Sequence, residues 1–282
     1  MTLRLASLHI HPVKSGAARD VGSAGVSGRG LVDDRSWMVV DTTGQMVTAR
    51  THHRLLHVQA DTPATDPNVS GALRLRAPGL ADLDVNFPRG ALVPVTLHGS
   101  GLWGIDAGHG VADWLRLALH RDDVRLVWCD DPARRVLDPD HTSASEHTAF
   151  ADAYPVTVAT TASLAQLNDW IAQGAQERGE VLPAPLPISR FRPNLVVDGG
   201  TAFDEDAWRR VHVGEVTFRV TKPCARCVLT TVDPHTLVRG KEPIRTLARH
   251  RNVGGKTLFA VNLVPENSGT VRIGAPVTVE RS

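Results

Sequence analysis

Lysine is scarce in this 282-residue chain: of 31 basic side chains only Lys14, Lys222, Lys241 and Lys256 are lysines, and the other 27 are arginines. Neither charge sign is in excess. The 31 Lys+Arg face 30 Asp+Glu, leaving a formal charge of +1, which excludes a protein that coats nucleic acid or membrane through bulk charge. Three cysteines, Cys129, Cys224 and Cys227, are too few for a disulfide framework, so a reducing, cytoplasmic compartment is expected. No apolar stretch follows the opening Met-Thr-Leu-Arg, so no signal peptide is expected. The longest apolar runs fall short of the ~20 residues of a membrane span. Also missing are Gly-x-Gly-x-x-Gly, P-loop and Gly-x-Ser-x-Gly elements, which removes the commonest nucleotide-binding and hydrolase readings. Internal repeats and low-complexity tracts are absent too.

What is present is ordinary globular composition, 42% hydrophobic and 22% charged, in a length that makes one large domain or two smaller ones. Residues 1 to about 107 read as short strands. Leu3–Ile10 alternates, and Arg35–Asp41, the turn Thr42–Gln45 and Met46–Arg50 form strand, turn and strand. Leu55–Ala60, Leu73–Ala77, Leu92–Leu97 and Leu102–Asp106 follow at barrel-like intervals. A helix is expected near Gly110–His120 and a strand at Val124–Cys129. Asp130–His147, rich in Asp, Pro, Ser and His, carries no period and reads as a linker.

The second half opens on a strand at Tyr154–Ala159. A helix follows from about Ala162 to Gln176, with Ser163 and Gln166 at capping-box spacing. Strands are expected at Asn194–Val197, Trp208–Val213, Val216–Thr221, Val228–Val232, Leu258–Val264, Gly269–Ile273 and Val277–Glu280, with a short helix near Pro243–Arg249. The fold class is mainly β (β-rich α+β). The expected domains are 1–128, a β-barrel-like unit; 129–147, a linker; and 148–282, a second barrel-like unit with a few helices.

Two features can carry chemistry. Lys222-Pro-Cys-Ala-Arg-Cys227 offers a zinc half-site, a redox dithiol, one functional thiolate beside a cation, or two core thiols. Its spacing leaves these open, and Cys129, at a strand end, reads as core. Arg and Lys also gather at strand ends: Pro12-Val-Lys-Ser-Gly16, Asp34-Arg35, Thr48-Ala-Arg50 and Ser189-Arg-Phe-Arg-Pro-Asn194. Guanidinium forks and ammonium groups beside a serine hydroxyl grip phosphate or carboxylate, and the start of the Ser163 helix can add backbone N–H groups. The histidines read as structural or solvated. Asp138–His141 and Ser145–His147 read as polar loop, with a substrate lid as the alternative.

In this order the segments resemble the MOSC-domain molybdoenzymes, the group of the mitochondrial amidoxime-reducing component and its bacterial relatives. The matching pieces are Pro12–Gly16, Asp34–Trp37, Met46–Arg50, Ala162–Asn168, Arg190–Asn194 and Cys224–Pro234, continued by Lys241–Pro243 and Glu266–Gly269. The resemblance implies a MOSC N-terminal β-barrel plus a MOSC domain, with a molybdenum cofactor (molybdopterin) lying between them. It makes Cys227 the catalytic molybdenum ligand. Lys14, Ser15, Arg35, Arg192 and Asn194 would hold the pterin and its phosphate, Ser163 would sit at the phosphate or pterin edge, and Arg190 and Arg50 would line the rim. Cys224 would not be a ligand.

The implied activity is reduction of N-hydroxylated compounds (amidoximes, hydroxylamines and N-hydroxylated bases), with two electrons and two protons removing the oxygen as water. The chain ends without the cysteines of a ferredoxin domain, and an anchoring helix is missing. Electrons are therefore expected from a separate ferredoxin-, flavin- or cytochrome-type protein, and the enzyme is expected to be a cytoplasmic monomer without nucleic-acid or membrane partners. The competing expectations are a sulfur or cofactor carrier without its own turnover, and a non-enzymatic anion-binding module.

Overall fold

The computed structural model describes residues 2–281. The chain forms two compact units: Met1–His9, Gly22–Ser27 and Val156–Ser282 make the first, and Ile10–Val21 with Gly28–Pro155 the second.

The first unit is a closed barrel. Its strands follow the order Val156–Thr160, Leu195–Asp198, Leu3–Ile10, Pro276–Arg281, Trp208–Val213, Val216–Ala225 and Lys256–Pro265. The ring closes where Val156–Thr160 pairs antiparallel with Lys256–Pro265, Val158 facing Val261. Val156–Thr160 and Leu195–Asp198 are parallel neighbours, and such strands need a crossover. Helix α2, Thr161–Glu177, supplies it; α1, His109–Leu119, lies in the second unit and α3, Ile244–His250, in the first.

Helix α2 buries Leu167, Ile171 and Ala175 at four-residue spacing, one helical face. Leu167 and Ile171 join a core with Ala159, Phe191, Leu247 and Phe259. Its N-cap is Thr160, whose Oγ1 accepts Ser163 N at 3.1 Å. This corrects the capping box expected at Ser163, which stands inside the first turn.

In the second unit, Trp37–Asp41, Val124–Trp128, Ser100–Asp106 and Leu92–Leu97 form an antiparallel sheet in that order. Residues 45–46 join its edges through the bridges Val40–Met46 and Gln45–Thr96, so this sheet also closes on itself. The turn requires Gly44: its φ is +86°, and a Cβ there would stand 2.6 Å from Pro94 O. Helix α1 buries Val111, Trp114, Leu115 and Leu119.

The segment expected as a linker belongs to this unit. Cys129, Ala149 and Phe150 sit in one core with Met38, Val40, Val95, Leu97 and Val127. Leu137 is also buried.

Three expected strands differ. Met46–Arg50 becomes a bridge and a turn because Thr48 O accepts Thr51 N at 3.2 Å and His52 N at 2.9 Å. Leu55–Ala60 divides into a 3-10 helix at His53–His57 and a strand at Gln59–Asp61. Val228–Val232 is a 3-10 helix at Val228–Thr231. There Thr230 and Thr231 donate their hydroxyls to Cys227 O at 2.9 Å and Val228 O at 2.7 Å, local bonds that compete with a ladder.

Candidate functional site

In the second unit residues 11–14 run beside residues 35–37. Arg35 N donates to His11 O at 2.7 Å, Trp37 N to Pro12 O at 3.0 Å and Lys14 N to Trp37 O at 2.7 Å. The pairing brings together Lys14, Ser15 and Arg35 from two segments separated in sequence. Ser15 and Arg35 hold φ of +66° and +49°, a left-handed geometry that costs a non-glycine residue about 1–3 kcal/mol and concentrates at functional sites. Nine non-glycine residues have positive φ among the described residues, and Arg192 of the barrel unit is a third from the expected site.

Lys14 is buried, 4% exposed. Its Nζ donates to Phe150 O at 2.8 Å and to the carboxylate of Asp152. Asp152 also accepts from Arg50 Nη2 at 2.6 Å and meets His98 Nε2 at 3.0 Å. Arg135 grips the same stretch through the carbonyls of Ala149 at 2.8 Å, Ala151 at 2.6 Å and Asp152 at 3.0 Å.

Burial pushes the Lys14 ammonium down from 10.5 to about 8; Asp152 pulls it back up, and Arg35 and Arg135 add to the fall. Burial likewise lowers Arg135 to about 10. Asp34 pairs with Arg35, and His11 N donates to it at 2.8 Å. Burial alone would raise its carboxyl, but the Arg35 charge and the His11 hydrogen bonds outweigh this and hold it at about 2. Asp152 stays well below the usual carboxylate range, because Lys14, His98 and Arg50 together overcome its desolvation. Lys14, Arg35, Arg50 and Arg135 thus face two carboxylates, a formal surplus of +2 before His98 is counted.

The barrel unit carries the cysteines. The strand Val216–Ala225 runs through Cys224, and Cys227 stands at the N-cap of the 3-10 helix Val228–Thr231. Neither thiol is in a disulfide and both are partly exposed, whereas Cys129 is buried, and its burial pushes that thiol up to about 11. Cys129 is therefore core, as its strand-end position suggested. The resemblance placed Arg190 at a rim; it is buried instead, donating from Nε to Thr230 O at 2.9 Å and pairing from Nη1 with Asp233 at 3.3 Å. Burial lowers its pKa, and Asp233 opposes the fall.

Two expected cofactor residues turn inward. Asn194 is fully buried, its side chain accepting Thr157 N at 3.2 Å and donating to His9 O at 3.2 Å. It ties three barrel strands together. Ser163 is fully buried as well, accepting Phe203 N at 2.7 Å and donating to Glu205 Oε2 at 2.8 Å. Both are without exposed surface, and these bonds hold backbone in place. Arg192 is only partly buried and turns on φ +49° directly after the Ile188–Phe191 turn.

Glu205 has no exposed surface, and burial raises its pKa against the Ser163 and Thr160 hydrogen bonds. A carboxyl raised on folding contributes stability in full below its unfolded pKa and loses it as pH rises through the folded value. Glu205→Gln is accordingly expected to raise the melting temperature at pH 8 and to give no gain at pH 4, read by thermal unfolding at the two pH values.

Asp152, His98, Arg135 and Asp233 carried no motif. The one available signal was the lysine itself, since a buried ammonium calls for an acidic partner.

One unit is thus a β-barrel with a partly exposed thiol at a turn, and the other a β-rich unit with a buried lysine inside a cluster of cations. Residues 2–122 match the MOSC N-terminal beta barrel domain and residues 145–278 the MOSC domain. The chain is 32% identical to the human mitochondrial amidoxime-reducing component 1, across 97% of this chain and 82% of that protein. It is 32% identical to the rat mitochondrial amidoxime reducing component 2, across 95% and 80%. The crystal structure of the YUAD protein from Bacillus subtilis is similar over 100% of this chain and 97% of its own, at 9% identity and a TM-score of 0.44. The chain belongs to the MOSC-domain family that contains the mitochondrial amidoxime-reducing components.

Proposed function

We propose that this protein is a molybdenum-cofactor-dependent reductase of N-hydroxylated compounds such as amidoximes and hydroxylamines. Cys227 serves as the protein ligand to the metal, and a separate redox protein delivers the electrons. The observation that carries the reading is the positive surplus around Lys14, a buried ammonium at about 8. A pterin phosphate is a dianion, and its arrival would offset that surplus. The printed names of the relatives, amidoxime-reducing components, support the substrate class.

The donor set fits such a group. Cys227 offers one soft thiolate of the kind that suits molybdenum chemistry. Among the described residues no cluster of three or more His, Cys, Asp or Glu is placed to hold a metal, so most ligands of a metal at Cys227 would come from the cofactor. Lys14, Ser15, Arg35 and Arg50 would grip the phosphate, and Arg192 would lend a further guanidinium. Bound, the cofactor supplies the two-electron chemistry that removes a nitrogen-bound oxygen as water. The protein's part is to bind and orient. Ser15, Arg35 and Arg192 are held in left-handed geometry ahead of binding, and the Asp152 and Asp34 carboxylates fix the cradle cations. Three cysteines outside any disulfide suit a reducing cytoplasm.

The test is metal analysis of purified protein, together with reduction of benzamidoxime by dithionite and a viologen dye. Stoichiometric molybdenum with amidine formation is expected. A fully molybdenum-loaded sample that does not turn over would replace the reductase with a carrier.

A further inference from the structure

Two arginines hold the turn that bears Cys227. Arg190 reaches from the Ile188–Phe191 turn to the 3-10 helix after Cys227, donating from Nε to Thr230 O at 2.9 Å. Arg226, the residue before Cys227, reaches the other way. Its Nη1 donates to Phe191 O at 3.1 Å and its Nε to Phe259 O at 2.8 Å, with the guanidinium 5.6 Å over the Phe191 ring. The Arg226 backbone is fixed as well: its N donates to Thr257 O at 2.8 Å, and its carbonyl accepts from Thr257 Oγ1 at 3.1 Å.

The strand opposite is distorted to allow this contact. Pro223 pairs with Val261 and Ala225 with Leu258, so Cys224 faces a bulge containing Phe259 and Ala260. Ala260 is buried with φ of +70°, strain that the surrounding structure must hold in place. Bulges commonly re-aim side chains beside active sites.

From this geometry we propose that Arg190 and Arg226 form a reciprocal brace, two positioning residues that lock the Cys227 thiol to the segment carrying Arg192. The inference rests on the reading of Cys227 as the metal ligand. Arg190 satisfies the main-chain carbonyl of Thr230, and the planar fork of Arg226 reaches those of Phe191 and Phe259 from two separate nitrogens. The brace joins the turn before Arg192 to the turn after Cys227, so thiol and guanidinium keep one relative placement inside the barrel unit. A thiolate ligand must be preorganised by its outer contacts, whose loss typically costs about 10–100-fold in metal affinity or activity.

The test is alkylation of cofactor-free full-length protein by iodoacetamide, with Cys224 and Cys227 followed separately by mass spectrometry. Wild type, Arg226→Gln, Arg226→Lys and Arg190→Gln are compared after thermal unfolding has shown each variant folded. The brace predicts Cys227 alkylation at least about five-fold faster in all three variants and a Cys224 rate within about two-fold of wild type, the turn opening while its charge environment changes differently in each. Were Arg226 present only for its charge, Gln would slow Cys227 and Lys would restore it; that pattern overturns the brace, as do unchanged rates.

If Arg226→Gln does not fold, Arg226→Lys and Arg190→Gln decide the matter alone. In molybdenum-loaded protein the same variants are expected to give a broadened or multiple Mo(V) electron paramagnetic resonance signal, and a single wild-type signal in all of them counts against the brace. The alkylation rates need no metal. A failure of Cys227 as ligand, seen as molybdenum retained in Cys227→Ala, is therefore distinct from a failure of the brace.

Discussion

Cys227→Ala is expected to leave a folded protein that no longer retains molybdenum, with reductase turnover down by at least about 100-fold, beyond the loss typical of an outer contact. The thiol is partly exposed at the N-cap of a 3-10 turn. The turn is built by main-chain groups: Cys227 O accepts Thr230 N at 3.1 Å and Thr230 Oγ1 at 2.9 Å, and alanine keeps both bonds. A surface-proximal substitution of this kind costs under about 1 kcal/mol of stability. Loss of metal without loss of melting temperature therefore isolates the ligand role. Cys224→Ala is the control and is expected to keep stoichiometric molybdenum, because its thiol sits on the strand facing the bulge. Metal analysis of both variants beside the viologen-coupled assay decides the matter. Cofactor bound equally in both single variants would remove Cys227 from the role.

Lys14→Met is expected to trade function for stability. In the folded protein burial brings the Lys14 ammonium from 10.5 to about 8. A group depressed on folding contributes stability that is fully present above the unfolded pKa and lost as pH falls through the folded one. Near pH 6.5 the folded protein thus carries a charged, desolvated lysine at a cost on the order of 2–3 kcal/mol. Methionine fills similar volume without the charge. Urea unfolding of cofactor-free protein should show the variant more stable by about that amount at pH 6.5, with the gain shrinking by pH 9.5. The same substitution removes one charge-assisted contact to the phosphate, worth about 1.5–3 kcal/mol, so cofactor retention should fall about 10–100-fold. A variant that is both less stable at pH 6.5 and fully loaded with cofactor would overturn this account of the cradle.

Much of the barrel was legible because its strands repeat at short range. In Trp208–Val213 the buried Val211 and Val213 flank a half-buried His212, and α2 buries residues four apart. The elements that differed share one cause. At Thr48, Thr230 and Thr231 local main-chain and hydroxyl bonds bend a β-prone segment into a turn, and propensity does not record that competition. Ser163 and Asn194 were visible as polar residues, but nothing in their neighbours showed that both are fully buried. The segment after Cys129 looked aperiodic because its irregular backbone is held by Arg135 and by the burial of Leu137 and Phe150.

By itself the amino-acid sequence determined the β-rich class, the strand order of the motifs and the two chemistries to look for, a thiolate and an anion grip. Periodicity, turn residues and Cys-Ala-Arg-Cys are local properties written along the chain. Tertiary structure decided which groups act together. Lys14 meets Phe150 and Asp152 from 136 and 138 residues away, and Arg190 meets Thr230 from 40. Desolvation and Coulomb fields act through space, so a lysine that sequence shows only as one of four becomes a buried cation at about 8 once the chain has folded around it.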